Sequence, residues 1–334
     1  MSQLGPVALD AMGGDHAPQA TVAGAVAAVR EGFPVILVGD EARLRPLIPA
    51  GVDLPVHHVA QAVAMDESHP VAAVRAAAIP SVTATMRLVK EGRACAAVSC
   101  GHTGAAMAAG LLVLGRLPGV ERPAITMVVP RTDGGRLVVL DLGANVDCRP
   151  THLVQFAVMG HAFAHAVLGM AMPRIALLSN GEEPGKGEER VREAGALLAE
   201  LDLPFIGNIE PTAAFRGGCD VLVCDGFVGN IMLKTVEATA EVVTHIIREE
   251  LLVHPSAKAG AWLLRPALRR VRERTDYASQ GGALLLGVGG VVVVGHGRSD
   301  ETAVRSALRY AARCASDDLV ARIEAALRGL RVAP

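Results

Sequence analysis

Short apolar runs at positions 7–9, 35–38, 96–99, 137–142, 175–178, 221–224 and 291–294 alternate with Ala-rich or amphipathic stretches of helical periodicity. Runs without polar alternation suit strands buried on both faces, and such strands separated by helices predict a mostly parallel sheet. The expected fold class is therefore α/β, a three-layer α/β/α sandwich in a single domain spanning 1–334. Positions 236–274 have little strand character and are expected to form a helical appendage within it. Glycine and polar motifs follow most of the strands, at Gly13, Gly101, Gly143, Gly181, Gly226 and Gly295. In a parallel sheet these collect at the carboxyl edge, where open α/β folds bind their ligands.

Composition narrows the partners. A formal charge of -2 and an aromatic content of 3% argue against a nucleic-acid binder, which needs a basic surface and stacking platforms. Six cysteines without a Cys-x-x-Cys pair suggest neither a disulfide scaffold nor zinc, and fit a reducing cytoplasm. The N-terminus lacks the basic and apolar pattern of a signal peptide. Two uncharged stretches, 94–115 and 277–297, reach membrane-spanning length. Both are expected to be decoys, because the first holds Gly-His-Thr-Gly at its centre and the second is glycine-rich with a strand-like valine run. No metal and no cofactor are expected.

The first strand runs into Asp10-Ala-Met-Gly-Gly-Asp-His16, whose Gly13 and Gly14 permit a tight turn before a helix opened by Pro18. Free amides at such a helix end attract phosphate or carboxylate, with Asp15 and His16 beside them. Ser99-Cys-Gly-His-Thr-Gly104 repeats that logic through Gly101, His102, Thr103 and Gly104. Gly181-x-x-x-Gly185-Lys186-Gly187 is one residue short of a P-loop and lacks its Ser or Thr, so an ATPase is not indicated. Lys186 is either a cation for developing negative charge or an exposed turn lysine. Asn230 either donates its amide to a phosphoryl or carbonyl oxygen or caps a helix. Asp10 and Asp225 close strands and either orient neighbours or hold turns; His16 and His296 are general-acid candidates or structural histidines. Cys148 has no histidine tied to it and reads as structural. Among only four lysines, at 90, 186, 234 and 258, two lie in these motifs.

Together with Leu140-Asp-Leu-Gly-Ala-Asn-Val-Asp-Cys148, Asn180-Gly-Glu-Glu-Pro-Gly-Lys-Gly187, Cys224-Asp-Gly-Phe-Val-Gly-Asn-Ile-Met-Leu-Lys234 and Gly295-His-Gly297, these motifs resemble those of the PlsX-type phosphate acyltransferases nearly end to end. The resemblance implies the isocitrate or isopropylmalate dehydrogenase and phosphotransacetylase architecture. It implies conversion of acyl-[acyl carrier protein] and inorganic phosphate to acyl phosphate, with Lys186 and Asn230 catalytic. Substrate contacts are expected at Asp10, Gly13, Gly14, Asp15, His16, Gly101, His102, Thr103, Gly104, Asn145, Gly185, Gly187, Asp225, Gly229 and His296. The chain departs from the family at His102, where asparagine is usual. It departs again at Ala77 and Ala78, where lysines are common, leaving Arg75 or Arg87 for any contact there.

An amphipathic stripe at Val236, Ala240, Val243, Ile247 and Leu251 suits a subunit interface, and a homodimer is expected. Trp262, Leu264 and Leu268 with Arg265 and Arg269 suit either an anionic membrane surface or a subunit contact. The expected place is the cytoplasm, with peripheral contact at the membrane and with the membrane acyltransferase that uses acyl phosphate. Rival readings are a phosphotransacetylase-like enzyme using acyl-CoA, an NAD-dependent dehydrogenase of the isopropylmalate type, and a membrane scaffold. Against the dehydrogenase, Gly287-Val-Gly289-Gly290 leads into a strand and not a helix.

Overall fold

Valines 291–294 show how this chain builds its centre: all four are buried, Val291 and Val293 in one apolar core and Val292 and Val294 in another on the opposite face. Side chains alternate across a strand, so a run apolar at every position requires cover on both sides. The computed structural model describes residues 5–253, 260, 262–267, 269, 271 and 281–329. Its strands are β1 (Val7–Asp10), β2 (Val35–Gly39), β3 (Val56–His58), β4 (Ala96–Ser99), β5 (Ala124–Pro130), β6 (Arg136–Leu140), β7 (Ile175–Leu178), β8 (Phe205–Ile209), β9 (Val221–Val223), β10 (Ala283–Leu286) and β11 (Val291–Val294). They form an 11-stranded sheet ordered β3-β2-β1-β4-β11-β10-β5-β6-β9-β7-β8.

The helices are α1 (Gln19–Arg30), α2 (Glu41–Leu44), α3 (Pro70–Val74), α4 (Ser81–Lys90), α5 (Thr103–Ala109), α6 (Pro150–Leu168), α7 (Glu189–Ala199), α8 (Pro211–Phe215), α9 (Gly226–Val253), α10 (Glu301–Ser316) and α11 (Leu319–Gly329). α1, α6, α7, α10 and α11 cover one face of the sheet, with Phe156 and Phe163 of α6 fully buried against it. α4, α5, α8 and the first turns of α9 cover the other. The three-layer α/β architecture is the one expected. Among the described residues no helix is long and apolar enough to cross a membrane. The stretch 94–115 is instead β4, a glycine turn, α5 and the π-helical turn Gly110–Leu114.

One expectation fails. The strands β1 to β4 and β11 pair in parallel, and so do β6, β9, β7 and β8. Between these halves, the pairs β11–β10, β10–β5 and β5–β6 are antiparallel. Three reversals leave the halves running in opposite directions. The motifs at Gly13, Gly101 and Gly295 therefore lie at one edge, and those at Gly143, Gly181 and Gly226 at the other. Chain length sets two of the reversals, since five residues separate β5 from β6 and four separate β10 from β11, too few for a parallel crossover; the third comes from β10 pairing with β5, a strand distant in sequence.

The expected appendage begins earlier than position 236, because α9 runs unbroken for 28 residues from Gly226. Residues 262–267 are helical, and Pro266 lies within them. Trp262 and Leu264 are exposed, as are Arg265 and Arg269. Leu268 lies outside the described residues.

Candidate active site

A cleft of about 220 Å³ opens between the start of α9 and the sheet face made by β5, β10 and β11. Ile125, Met127, Leu142, Leu233, Ala303 and Ala307 give it an apolar wall. Thr103, Asn230, Lys234, Glu237, His296 and Ser299 supply polar groups. An apolar wall facing a few convergent polar groups is the usual make-up of a small-molecule site. The cleft reaches both edges of the sheet: α9 starts beside the turn after β6 and passes the loop after β11.

The junction that aims Asn230 is built from backbone and buried carboxylates. Asp141 is fully buried; its Oδ1 accepts from the amides of Ile125 at 3.0 Å, Gly143 at 3.2 Å and Ala144 at 3.0 Å. Its Oδ2 accepts from the Asn145 amide at 2.7 Å and from Asn145 Nδ2 at 2.9 Å. Burial pushes this carboxyl upward, and the five donors oppose that shift. Asn145 then accepts from the Gly226 amide at 2.8 Å, so the turn holds the first residue of α9. A methyl group on Gly229 would fall on the Asp141 carbonyl oxygen. Only glycine lets the helix lie this close, and it brings Asn230 against Gly143.

The structure separates roles left open above. Asn230 is not the cap of α9: Asp225 Oδ1 accepts from the Phe227 and Val228 amides at 2.9 and 3.0 Å. Asn230 sits on the second turn with its side chain free to face the cleft, and Lys234 follows one turn later. Because Gly226, Phe227, Val228 and Gly229 all donate within the protein, α9 offers no open amides to an anion. His102 caps α5 through Nδ1, 3.3 Å from the Ala105 amide, which places neighbouring Thr103 in the cleft. His296 Nδ1 accepts from the Arg298 amide at 3.1 Å, so the neutral ring carries its proton on Nε2.

Other expected site residues lie elsewhere. Asp10 is buried, accepts from Ser99 Oγ at 2.8 Å and from the Met12 amide at 3.3 Å, and does not line the cleft. Desolvation raises its carboxyl above the usual range. A Cβ on Gly13 would stand 2.8 Å from the Gly101 amide, so these glycines pack one turn on another. Asp15 and His16 are exposed, the Asp15 amide donating to Gly297 O at 2.8 Å, and Gly14 and Gly104 stay outside the cleft lining. Asn145 spends its side chain on Asp141 and on Pro123 O, at 2.7 Å. Within the Gly13–Pro18 turn the Ala17 amide donates to Gly14 O, and the His16 carbonyl accepts from the Ala20 amide of α1.

Lys186 is exposed and does not line the cleft. Its loop is fixed by Asn180 Oδ1, which accepts from the Gly187 amide at 3.0 Å, and by Asn208 Nδ2, 3.1 Å from Glu183 O. Gly185 has open space around it, and Gly187 has φ +86°, as the turn requires. Arg190, at the start of α7, lies 3.9 Å from Asp225 Oδ2, so this loop shares an edge with the start of α9. Among the described residues the lysine or arginine that lines the cleft is Lys234, a motif lysine to which the sequence assigns no role. Its spacing of four from Asn230 was the available signal.

Cys148 lies outside the cleft lining, in surroundings that disfavour a thiolate. Burial, and then the Asp141 charge, push its thiol up to about 12, and Sγ donates to Asn145 O at 3.6 Å. Among the described residues no group of His, Cys, Asp and Glu has the arrangement of a metal site.

Comparison with known proteins adds the chemistry. A family described as "Fatty acid synthesis protein" matches residues 6–322. The phosphate acyltransferase of Desulforudis audaxviator is 48% identical over 326 residues, 97% of each chain. That of Myxococcus xanthus is 49% identical over 324 residues, 94% of this chain and 91% of the relative. Among solved structures, a phosphotransacetylase from Streptococcus pyogenes superposes with a TM-score of 0.63 at 17% identity, over 95% of both chains. A 4-hydroxythreonine-4-phosphate dehydrogenase from Klebsiella pneumoniae gives 0.51 at 16%, over 93% of this chain and 99% of the other. At such identities the likeness is one of fold.

Proposed function

The chain belongs to the phosphate acyltransferase family of fatty acid synthesis proteins and is an enzyme that forms acyl phosphate; from that premise we propose that the acyl group arrives on acyl carrier protein and reacts with inorganic phosphate in the α9 cleft. The observation that carries this reading is the pairing of Asn230 and Lys234, one helical turn apart, with an apolar wall opposite. Phosphate sits against the Lys234 ammonium and Thr103. The thioester carbonyl lies at Asn230 with the first carbons of its chain on Ile125, Met127 and Leu142. A phosphate oxygen attacks the carbonyl carbon, the C–S bond breaks, and the proton of the phosphate dianion leaves with the thiol. His296 Nε2–H donates a hydrogen bond to the departing sulfur and need not change charge. Catalysis is then positioning and electrostatic stabilisation without a covalent enzyme intermediate.

Purified protein incubated with acyl carrier protein thioester and phosphate, with hydroxylamine trapping of acyl phosphate, tests the donor. Turnover with the carrier thioester well above that with acyl-CoA is expected. The reverse preference would favour the phosphotransacetylase-like reading, to which the Streptococcus pyogenes fold gives its weight.

Two lysines share the cationic role in this reading, and their variants tell their contributions apart. Lys234→Ala is expected to lower turnover roughly a hundredfold, because a preorganised charge beside the developing oxyanion is lost. Lys186 belongs to the same reading as a second cation, delivered from its loop beside the start of α9. Lys186→Ala is expected to act on the KM for phosphate as well as on turnover. A Lys234→Ala enzyme with wild-type kinetics would remove that lysine from the site.

The exposed stripe on α9, including Val236, Val243 and Ile247, supports assembly as a homodimer. Trp262, at 69% exposure, with Leu263 and Leu264 and their arginines, supports peripheral contact with an anionic membrane and with the acyltransferase that consumes acyl phosphate there. Leu263→Glu together with Leu264→Glu is expected to abolish flotation with anionic vesicles while sparing acyl transfer. A variant that splits the dimer and still floats would reverse that assignment.

A further inference from the structure

A second cavity, of about 620 Å³, lies where the Gly110–Leu114 turn, the start of β5 and the start of α6 meet. Leu111, Arg116, Glu121, Arg122, Pro123, Arg149 and His152 line it. Three arginines face one carboxylate, so the lining keeps an excess of positive charge even with every pair formed. Arg149 is bound to Glu121, whose Oε2 is also 3.1 Å from His152 Nε2. Arg116 Nη1 donates to Glu121 O at 2.7 Å. Arg122 is exposed and forms no ion pair with another described residue. His152 Nδ1 accepts from the Arg149 amide at 3.1 Å. Burial and the nearby Arg149 and Arg122 charges hold this ring below its usual range, so it stays neutral and donates to Glu121.

Arg116 and Arg122, on the loop before β5, and Arg149, at the start of α6, bring guanidiniums to one concavity from two segments, which suits a phosphate ester that accepts paired N–H donors from several directions. The cavity and the cleft are neighbours along β5. Pro123 lines the first and Ile125 the second, and the Asp141–Asn145 turn binds both, through Pro123 O and the Ile125 amide. Phosphate that reacts must meet Asn230, which that turn separates from the arginines. An anion held at Arg122 is therefore an anchor and not the nucleophile.

We propose that this arginine-lined cavity holds the phosphoester of the acyl donor's phosphopantetheine arm, so that the arm runs past the start of β5 and delivers its thioester to the cleft. The assignment rests on the carrier-bound donor proposed above. It makes Arg122 a donor-binding residue that leaves the phosphate nucleophile untouched.

Kinetics with three donors test it: acyl carrier protein, acyl-phosphopantetheine, and acyl-pantetheine, which lacks the phosphate. Arg122→Ala, an exposed change whose folding is checked by urea unfolding, is expected to raise the KM for the first two roughly tenfold. The KM values for acyl-pantetheine and for inorganic phosphate should stay as in wild type. Arg122→Lys should recover part of the loss, since it restores charge without the paired donors. Direct calorimetry with phosphopantetheine should show the same ranking without turnover. Equal loss for inorganic phosphate would make the cavity the nucleophile's site and overturn the proposal. Loss confined to the whole carrier would assign the arginines to acidic side chains on the carrier surface, and also overturn it. Wild-type enzyme inactive with acyl carrier protein would remove the donor reading itself; an active wild type with an unaltered Arg122→Ala enzyme would remove only the cavity.

Discussion

Replacing Asn230 by aspartate is expected to slow acyl phosphate formation about a thousandfold, and replacing it by alanine about a hundredfold, with both proteins folded. The order follows from charge. Alanine removes one donor aimed at the carbonyl oxygen, whereas aspartate also places an anion beside phosphate and the developing oxyanion. A capping role would predict the opposite order, since aspartate caps helices as well as asparagine does. Asp225 already fills that position, accepting from Phe227 and Val228, so little helix stability depends on Asn230. Stopped-quench assays at saturating donor and phosphate read the effect in kcat. An aspartate enzyme as fast as wild type would take Asn230 out of the reaction.

The layered α/β fold was legible because the strands are apolar at consecutive positions, as at Val291–Val294, and so demand helices on both faces. The reversal between the two halves of the sheet was not. It depends on β5 and β10, and β10 is Ala-Leu-Leu-Leu, without the β-branched residues that mark a strand. Their antiparallel pairings invert the direction of β6 to β9, which moves half of the glycine motifs to the far edge. A one-edge picture therefore places Gly13 and Gly101 beside Gly181, whereas the sheet puts the turn holding Gly181 at the opposite edge, with the start of α9.

The motifs themselves mix chemistry with construction, and spacing does not say which is which. Gly13 and Gly101 exist to let two turns touch, Asp10 ties those turns to Ser99, and Asp225 caps. Thr103, Asn230 and His296 were named from sequence and do line the cleft. Lys234 was within reach, since residues four apart on a helix share a face and Asn230 fixes which face matters. Asp141 gives no such signal. Four of its five donors belong to the turn that follows it, at Gly143, Ala144 and Asn145, and the Ile125 amide reaches it only once β5 and β6 have paired.

Gly229→Ala is expected to cost about 3 kcal/mol of stability and to lose most activity with it, as overpacking against rigid backbone does. The added methyl meets the Asp141 carbonyl oxygen, with Cys224 Sγ 2.9 Å away on the other side. The carbonyl cannot swing aside, because the Asp141 peptide is pinned: its amide donates to Cys224 O at 2.9 Å and its carboxylate holds the following turn. Relief therefore has to come from α9, whose first residue is bound to Asn145 and whose second turn carries Asn230. Moving the helix outward withdraws Asn230 from Gly143 and Lys234 from the cleft together, so stability and turnover fall as one. Gly185→Ala is the matched control, with nothing within 4 Å of the new methyl, and it is expected to leave stability unchanged to within a few tenths of a kcal/mol. Urea unfolding followed by circular dichroism, beside the hydroxylamine assay, reads both quantities. A Gly229→Ala protein as stable and as active as wild type would show that α9 does not depend on this contact, and that the close approach to Asp141 is not what aims Asn230.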